Sequence, residues 1–571
     1  LCFQPQTKEE LKTAVNLWIS DNTSALVTYG EINTWDVSLI TNMESLFANS
    51  DFNSNISNWD VSNVTTMHEM FKNTENFNQP LNNWDVSSVT SMYGIFRNAQ
   101  AFDMPLSDWD VSSVVNMRWA FSGTSSFSGQ GLANWDVSSV TDMYRMFSWA
   151  SFDCGSSNLD CDISNWDVSS VTNMVLMFAD FSGEVDLSGW DVSNVTDMGS
   201  MFFGTISETF GISSWDMSSV TKISEMFQNA TNFNEDLSNW DVSNVTQMKF
   251  TFKNTQNFQG NLSTWNVSNV TDMSNMFQNS NWTGDISEWD VSSVTNFGCT
   301  FCNNNTFNSD LSSWDVSSAT NMGEMFGEAS SFNSDISNWD VSNVTNMDYT
   351  FRNTTSFNQD ISSWDVSNVT HMIDIFGGDI GLNLANKCAI YRSFSINDNW
   401  PYDWSDLCFQ PQTKEELQTA VDLWTDDKPS ALETYGEINT WDVSLITNMS
   451  RLFEAKFTFN DDISNWDVSN VIDMSNMFLN ARNFNQDLDS WDVSNVQNMG
   501  GMFSWAHAFN QDLNSWDISN VNYVVYMFHR AYSFNGDISS WNISNITNLN
   551  YIFWHARSFN GDLSSWDVSN V

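Results

Sequence analysis

One arrangement of apolar and polar positions recurs from end to end of the chain. Twenty Trp residues mark its frame: Trp35, Trp59, Trp84, Trp109, Trp135, Trp166, Trp190, Trp215, Trp240, Trp265, Trp289, Trp314, Trp339 and Trp364, then Trp441, Trp466, Trp491, Trp516, Trp541 and Trp566. Neighbours within each run lie 24 or 25 residues apart, except for one interval of 26 and one of 31. Counting forward from each Trp, position +2 is Val, Ile or Met in every copy and +5 is apolar in all twenty. Position +8 is Met in fifteen of the nineteen complete copies, and +12 is Phe in all nineteen. A second Phe near +18, such as Phe77 or Phe102, and a Leu or Ile near +22 complete the apolar set. Alternation at the Trp predicts a short strand. The spacing of three to four through +5, +8, +12 and +15 predicts about three helical turns with one apolar face. A segment such as "FNQDIS" then reads as the turn back into the next strand. A fixed period of this size predicts a solenoid in which each coil covers the apolar face of the next. The expected fold class is therefore α/β, with short parallel strands on one side and short helices on the other. The Trp, Met and Phe columns are read as core.

A longer period overlies the short one. The stretch "LCFQPQTKEELKTAVNLW" at Leu1 returns as "LCFQPQTKEELQTAVDLW" at Leu407, and 38 of 47 residues are identical between Leu1–Phe47 and Leu407–Phe453. Thr7 with Glu10 three residues later forms a capping box, so Lys8 to Ile19 is expected to be an amphipathic helix that lids the first coil. The expected organisation is an N-terminal cap over 1–34, a solenoid of 14 repeats over 35–376, and a C-terminal cap and linker over 377–406. A second N-terminal cap over 407–440 and a second solenoid of six repeats over 441–571 follow. The last repeat stops in mid-coil, and the natural chain is expected to continue beyond both ends as a string of such blocks.

Net charge is −51, from 70 acidic against 19 basic residues. That balance argues against nucleic acid or an anionic membrane as partner, and no apolar run approaches the ~18 residues of a membrane span. Asp follows the frame Trp in eighteen of twenty copies, and a second acidic column precedes it, as in Asp310, Asp335, Asp360, Asp487, Asp512, Asp537 and Asp562. Stacked carboxylates repel unless donors or cations neutralise them. Capping of turn N–H groups is the expected role, with calcium between coils as the alternative. Seventeen N-x-[ST] sequons occur, against ~15 from composition alone, so their number says nothing. Their placement says more: Asn63, Asn194, Asn244, Asn269, Asn343, Asn368 and Asn545 all sit at +4 and are candidate glycan acceptors along one ridge.

Seven cysteines add detail. Cys154 and Cys161 bracket an insertion in the longest coil, and a disulfide is expected to close it. Cys388 and Cys408 are expected to join one block to the next. Cys2 is the counterpart of Cys408, with its partner upstream. Cys299 and Cys302, at +10 and +13, are placed on the outer face, as free thiols or a local disulfide; a lone C-x-x-C is a weak metal or redox signal, and no metal site is predicted. The pattern suits an oxidising, extracellular setting. Nothing predicts catalysis. The five His (His68, His371, His507, His529 and His555) look scattered, and no H-E-x-x-H, phosphate-cradling Gly loop or G-x-S-x-G occurs.

The pattern W-D-V-S-x-V-T-x-M-x-x-M-F-x-x-A-x-x-F-N-x-D-[IL]-S resembles the bacterial surface protein 26-residue repeat of BspA-like surface proteins and lipoproteins, which is grouped with leucine-rich repeats. The resemblance covers nearly the whole chain. It implies a leucine-rich-repeat-like, right-handed solenoid displayed outside the cell, without enzymatic activity. The expected function is a structural or adhesive role at the cell surface, with blocks joined end to end into a rod or fibre. The alternative is a receptor-like module that recognises a protein or glycan through one face. It predicts departures from the repeat clustered on that face, and the most irregular stretches are Phe127 to Cys161, Phe203 to Phe210 and Cys299 to Asn308.

Overall fold

The structure is a computed structural model that describes residues 3–154 and 159–571. The chain forms two compact units, Leu1–Leu382 with Ile396–Pro401, and Asn383–Ser395 with Tyr402–Val571. The α-helices lie outside the repeats. In the first unit α1 (Lys8–Ser20) and α2 (Asn22–Tyr29) precede the first coil. Thr7 accepts the Glu10 N–H at 3.2 Å, and the Glu10 carboxylate reaches back to the Gln6 N–H at 2.7 Å. Leu11, Ala14, Val15 and Trp18 form the buried face of α1. The second unit opens with α3 (Leu384–Phe394) and repeats the first cap as α4 (Lys414–Asp426) and α5 (Lys428–Tyr435). The segment 377–406 is therefore divided between the two units.

The expected alternation of strand and helix within each coil is corrected by the backbone. Among the described residues no strand forms. Each coil contributes one isolated parallel bridge, at +7, running from Asn42–Thr66 to Asn346–His371 in the first unit and from Asn448–Asp473 to Asn498–Tyr523 in the second. The segment from +8 to +15 is not helical either. It is a run of i→i+3 turns, such as Ile95 N–H to Met92 carbonyl (3.1 Å) and Ala99 to Phe96 (2.9 Å). Residues +10 and +14 have left-handed backbone in every complete coil, and all thirty-three non-glycine residues with positive φ among those described belong to these two columns. An α-helix cannot pass through a left-handed residue every fourth position. The α/β leucine-rich-repeat-like class is therefore not what these coils adopt.

The left-handed residues turn every second peptide parallel to the stacking direction. The N–H groups at +8, +10, +12 and +14 donate to carbonyls at +7, +9, +11 and +13 of the next coil. Met92 to Asn116 (2.9 Å), Gly94 to Arg118 (2.8 Å), Phe96 to Ala120 (2.9 Å) and Asn98 to Ser122 (2.7 Å) make up one such junction. Four rows of peptides thus run through each unit with their dipoles aligned. At +6 a weaker row runs the other way, as in Thr90 N–H to Thr65 carbonyl (3.0 Å). Caps serve the open ends. Lys12 Nζ donates to the carbonyls of Ser45 (2.7 Å) and Leu46 (2.6 Å) in the first coil, and Gln418 serves Leu452 in the second unit (3.0 Å). Leu46, at +11, heads one of the rows, so the Lys12 cation sits at the negative end of its aligned dipoles. At the far end of the first unit Asn397 donates to the Val366 and Val369 carbonyls (2.7 and 2.9 Å), and Trp400 packs edge-on against Phe376.

Inside the turns the aromatic columns stack. Trp240 lies 6.2 Å from Trp265 with planes 5° apart, and its indole N–H donates to the carbonyl of Ile212 in the preceding coil (2.9 Å). The same bond recurs from Trp59 to Ile32 (2.8 Å) through Trp364 to Ile336 (3.0 Å). The Phe columns at +12 and +18 nest beside it, with Phe227 5.6 Å from Phe252 and 4.1 Å from Phe233. Full burial of each such ring contributes up to about 3 kcal/mol. An invariant Phe column follows, because each ring is walled by the rings above and below.

Candidate functional site

The acidic columns are absorbed by local structure. Asp340 Oδ1 accepts the Ser342 N–H at 3.0 Å, and Asp60 Oδ1 accepts both the N–H and the hydroxyl of Ser62 (3.1 and 2.7 Å). The second column does the same, as in Asp335 with Ser337 (3.0 and 2.7 Å). These are Asx turns. The Ser342 hydroxyl and N–H hold the Asp340 carboxyl below the usual carboxylate range, against the opposing charge of Asp365 one coil on. Oxygen lone pairs that calcium would take are thus partly engaged by serine.

The sequon column has a structural role as well. The side-chain amides of Asn63, Asn194, Asn244, Asn269, Asn343, Asn368 and Asn545 each donate to a Ser carbonyl in the preceding coil, at 2.6–2.9 Å. The Thr of the motif donates too, as Thr345 does to the Thr320 carbonyl (3.1 Å). Asn470, Asn495 and Asn520 make the same amide bond (2.9, 2.8 and 2.7 Å) where no Ser or Thr completes a sequon. Coil junctions therefore account for the Asn at +4 without any modification.

Cys154 and Cys161 are paired as a disulfide, with Cα atoms 5.4 Å apart, and so are Cys388 and Cys408, at 5.3 Å. Cys388 lies on α3, within the second unit, so this bond fastens α3 to the second cap. Cys2 and residues 155–158 of the insertion lie outside the described residues. Cys299 and Cys302 are also paired, Cα atoms 4.8 Å apart, and both are buried rather than on the outer face. The Glu324 carboxylate stands alongside, with the three ligand atoms within 4.8 Å of one another.

Two surfaces remain that local structure does not explain. A concavity of about 760 Å³ in the first unit is lined by Asp153, Glu184, Glu208, Ile206 and Asn232, among others. Asp153, Ile206 and Glu208 come from two of the irregular stretches. Nearby Glu235 is buried enough to push its carboxyl up, although the Phe210 and Ile212 N–H groups donate to it. The second surface lies on the +10 to +16 columns of the second unit and is aromatic and basic. Tyr526 stacks on Tyr551 (4.9 Å) and His529 on Trp554 (5.0 Å), while the Arg530 guanidinium lies 4.2 Å over Trp505. His507 stacks on Tyr532, and Arg557 covers the other ring contact of Tyr532 at 4.8 Å. Burial, then the charges of Arg482 and Arg530, pushes the His507 value down; burial, Arg530 and His555 do so at His529. Three of the five histidines, scattered by residue number, thus converge at +16, +13 and +14 of successive coils. The repeat frame was the signal that would have brought them together. A smaller version in the first unit stacks Arg97 and Arg145 on Trp119 (3.9 and 4.7 Å), with Arg118 bound to Asp142 (2.9 Å).

Residues 18–130, 115–210, 203–287, 278–385, 427–528 and 499–571 each match one family model, described as "Mycoplasma protein of unknown function, DUF285". The chain belongs to this family. The DUF285 matches cover the coils of both units and leave out 386–426, which holds most of α3 and all of α4. No curated protein matches the chain. Among solved structures, the APL1 leucine-rich repeat domain is similar at 12% identity and a TM-score of 0.17, over 64% of this chain and 75% of that one. A TM-score that low says nothing about the DUF285 coil.

Proposed function

We propose that this chain is an adhesive display protein of the cell surface or extracellular space, in which the coil stack is scaffold and the left-handed columns are the display. One observation carries the reading. Left-handed backbone favours Asn and Gly, and Asn or Gly does occupy +14 in many coils. Yet Trp119, Trp149, Phe250, Tyr349, Trp505, Tyr526 and Tyr551 sit at these positions, where the backbone disfavours a bulky ring. Packing does not demand Trp149, Tyr526 or Tyr551 either, which are 61%, 40% and 52% exposed, while the other four are half-buried. Side chains that neither backbone nor core selects are best explained by recognition. Three disulfides suit an oxidising location, and the finer version has blocks linked end to end into a fibre. The test is immunogold labelling of intact source cells. Label outside the cell is expected, and label only after permeabilisation overturns the reading. Negative-stain microscopy of native material addresses the fibre, which isolated particles would exclude. The concavity walled by Asp153, Glu184 and Glu208 favours a second reading, a receptor-like module, here for a basic ligand.

A further inference from the structure

We propose that the aromatic, basic face of the second unit is a binding site for an acidic carbohydrate, a chain of uronic or sulfated sugars; this rests on the adhesive reading above. The first argument is charge placement. From Phe457 to Val571 the only Lys or Arg residues are Arg482, Arg530 and Arg557, and the only histidines are His507, His529 and His555. All six fall between +13 and +16. Most carboxylates of the same coils lie on the +1 and −4 columns, with Asp461, Asp473 and Asp489 as the exceptions. Among the described residues none of these three makes an ion pair, a state they share with Arg97, Arg145, Arg352 and Arg392, while Arg118 and Arg451 are paired (2.9 and 2.8 Å). A cationic strip on an acidic molecule can hold an anionic occupant only at contact range, where salt screens the repulsion from the chain's net charge of −51.

The second argument is shape and lining. A concavity of about 550 Å³ opens beside the strip, with Gly500 and Gly501 as its floor and Tyr523, Tyr526, His529 and Trp554 as its walls. The volume suits a small ligand. The Tyr523 ring lies across Gly500, so close that a Cβ there would stand 2.5 Å from it. Asn476, Asn498 and Ser504 supply amides and a hydroxyl at the margin. Flat rings that meet C–H faces, amides that meet hydroxyls, and guanidinium groups that meet carboxylate or sulfate form the donor set for an acidic sugar. Each guanidinium stacks on a ring, Arg482 on Phe457 at 4.9 Å for instance, which fixes its plane and leaves edge N–H groups to face a ligand. The Nε2 atoms of His507 and His529 and Nε of Arg530 are buried without a hydrogen-bond partner. Buried polar groups without a partner are uncommon, and a bound polar ligand or water would satisfy them; Arg145 Nε in the first unit is in the same state.

An acidic peptide fits less well. Extended peptides dock by pairing with free backbone at a sheet edge, and here the backbone groups are engaged by neighbouring coils, as in Tyr526 N–H to Asn550 carbonyl (3.2 Å) and Arg530 to Trp554 (2.8 Å). In the first unit the related cluster has Arg118 paired with Asp142, and burial pushes the Asp180 carboxyl up while the nearby Arg145 charge opposes that rise, so Arg118 and Arg145 each already face a carboxylate.

The test is isothermal titration calorimetry of the full chain with an oligogalacturonate, a heparin-derived octasaccharide, maltoheptaose, poly-glutamate and oligo-dT. Binding to the oligogalacturonate or the heparin fragment is expected at least tenfold tighter than to the other three; which of the two binds tells uronate from sulfate. The double variant Tyr526→Asn, Arg557→Gln should weaken it tenfold or more. Asn suits the left-handed backbone at 526 and Arg557 is exposed, so circular dichroism should be unchanged; Arg557→Lys should restore part of the affinity. No binding, equal binding of maltoheptaose, equal binding of poly-glutamate or oligo-dT, or full affinity in the double variant each overturns the proposal. Surface labelling of cells together with any of those results would sink this site and leave the adhesive reading standing.

Discussion

Replacing Trp149 by Asn and, separately, by Ala isolates the energetic role of the left-handed columns. Trp149 has φ +63° and is 61% exposed. Taking a Trp surface of about 250 Å², roughly 100 Å² of it is covered, and its loss at ~25 cal/mol per Å² costs up to about 2.5 kcal/mol in either variant. The backbone separates the two. A left-handed residue with a Cβ costs ~1 kcal/mol or more, and Asn escapes much of that because its side chain bonds locally. Trp149→Asn should therefore be about 1 kcal/mol more stable than Trp149→Ala. The coil junction offers a local readout, since the N–H of residue 149 donates to the Ala179 carbonyl at 2.8 Å. Native-state hydrogen exchange, followed by mass spectrometry on peptides covering 143–150, should run about fivefold slower in the Asn variant, the factor equivalent to 1 kcal/mol. Equal exchange in the two variants, at matched intrinsic rates, would refute the claim that these columns are held against backbone preference.

Trp240→Phe removes the 2.9 Å indole bond to the Ile212 carbonyl, which keeps the Trp215 N–H at 3.1 Å, and should destabilise the first unit by ~0.5–1.5 kcal/mol beyond the lost packing; an unchanged thermal unfolding curve would contradict the indole ladder. Burial and neighbouring cationic side chains hold His507 and His529 below the ordinary histidine value of about 6.5 in the folded chain, so the unfolded chain binds protons first. Stability is then complete above pH 6.5 and falls as pH drops from 6.5 through the folded values. The urea midpoint of the second unit should decline between pH 7.5 and 5.5, and His507→Gln with His529→Gln should flatten that decline. Replacing Cys388 and Cys408 by Ser opens a bridge spanning 20 residues, worth ~3 kcal/mol in the chain-entropy account. α3 should then be cleaved faster in limited proteolysis while the coils from Trp441 onward are spared.

The apolar columns were legible in the sequence because stacking repeats one environment: Trp339, Val341, Val344, Met347 and Phe351 are all buried. The caps were legible for a local reason, the pairing of Thr7 with Glu10. The helix was misread because consecutive four-residue turns place side chains on one face at the same intervals that a helix does. Position +14 held the discriminating signal. Asn49, Asn73, Asn98, Asn229, Asn254 and Asn279 recur there, and Asn every 25 residues at a place where a helix favours Ala or Leu points to left-handed backbone. The strand was misread because Trp and Val alternate as in a sheet, although the hydrogen bonds belong to peptides further along the coil. The aromatic, basic face was hidden for another reason. Arg530, His529 and Trp505 become neighbours only once coils are aligned in register, and no single coil carries the set.

The aligned peptide rows have a mechanical consequence. Tension applied along a unit loads the four rows in line, so each junction between coils resists as several bonds acting together. When one junction yields, the coil behind it unwinds. About 25 residues of chain at 3.3–3.6 Å each then lengthen by roughly 80–90 Å, where a parallel-bridged step had spanned about 5 Å. Such a stack behaves as a stiff tether with a built-in reserve of length. On the adhesive reading proposed above, a cell held by it through a shearing flow would feel a sequence of releases in place of a single break.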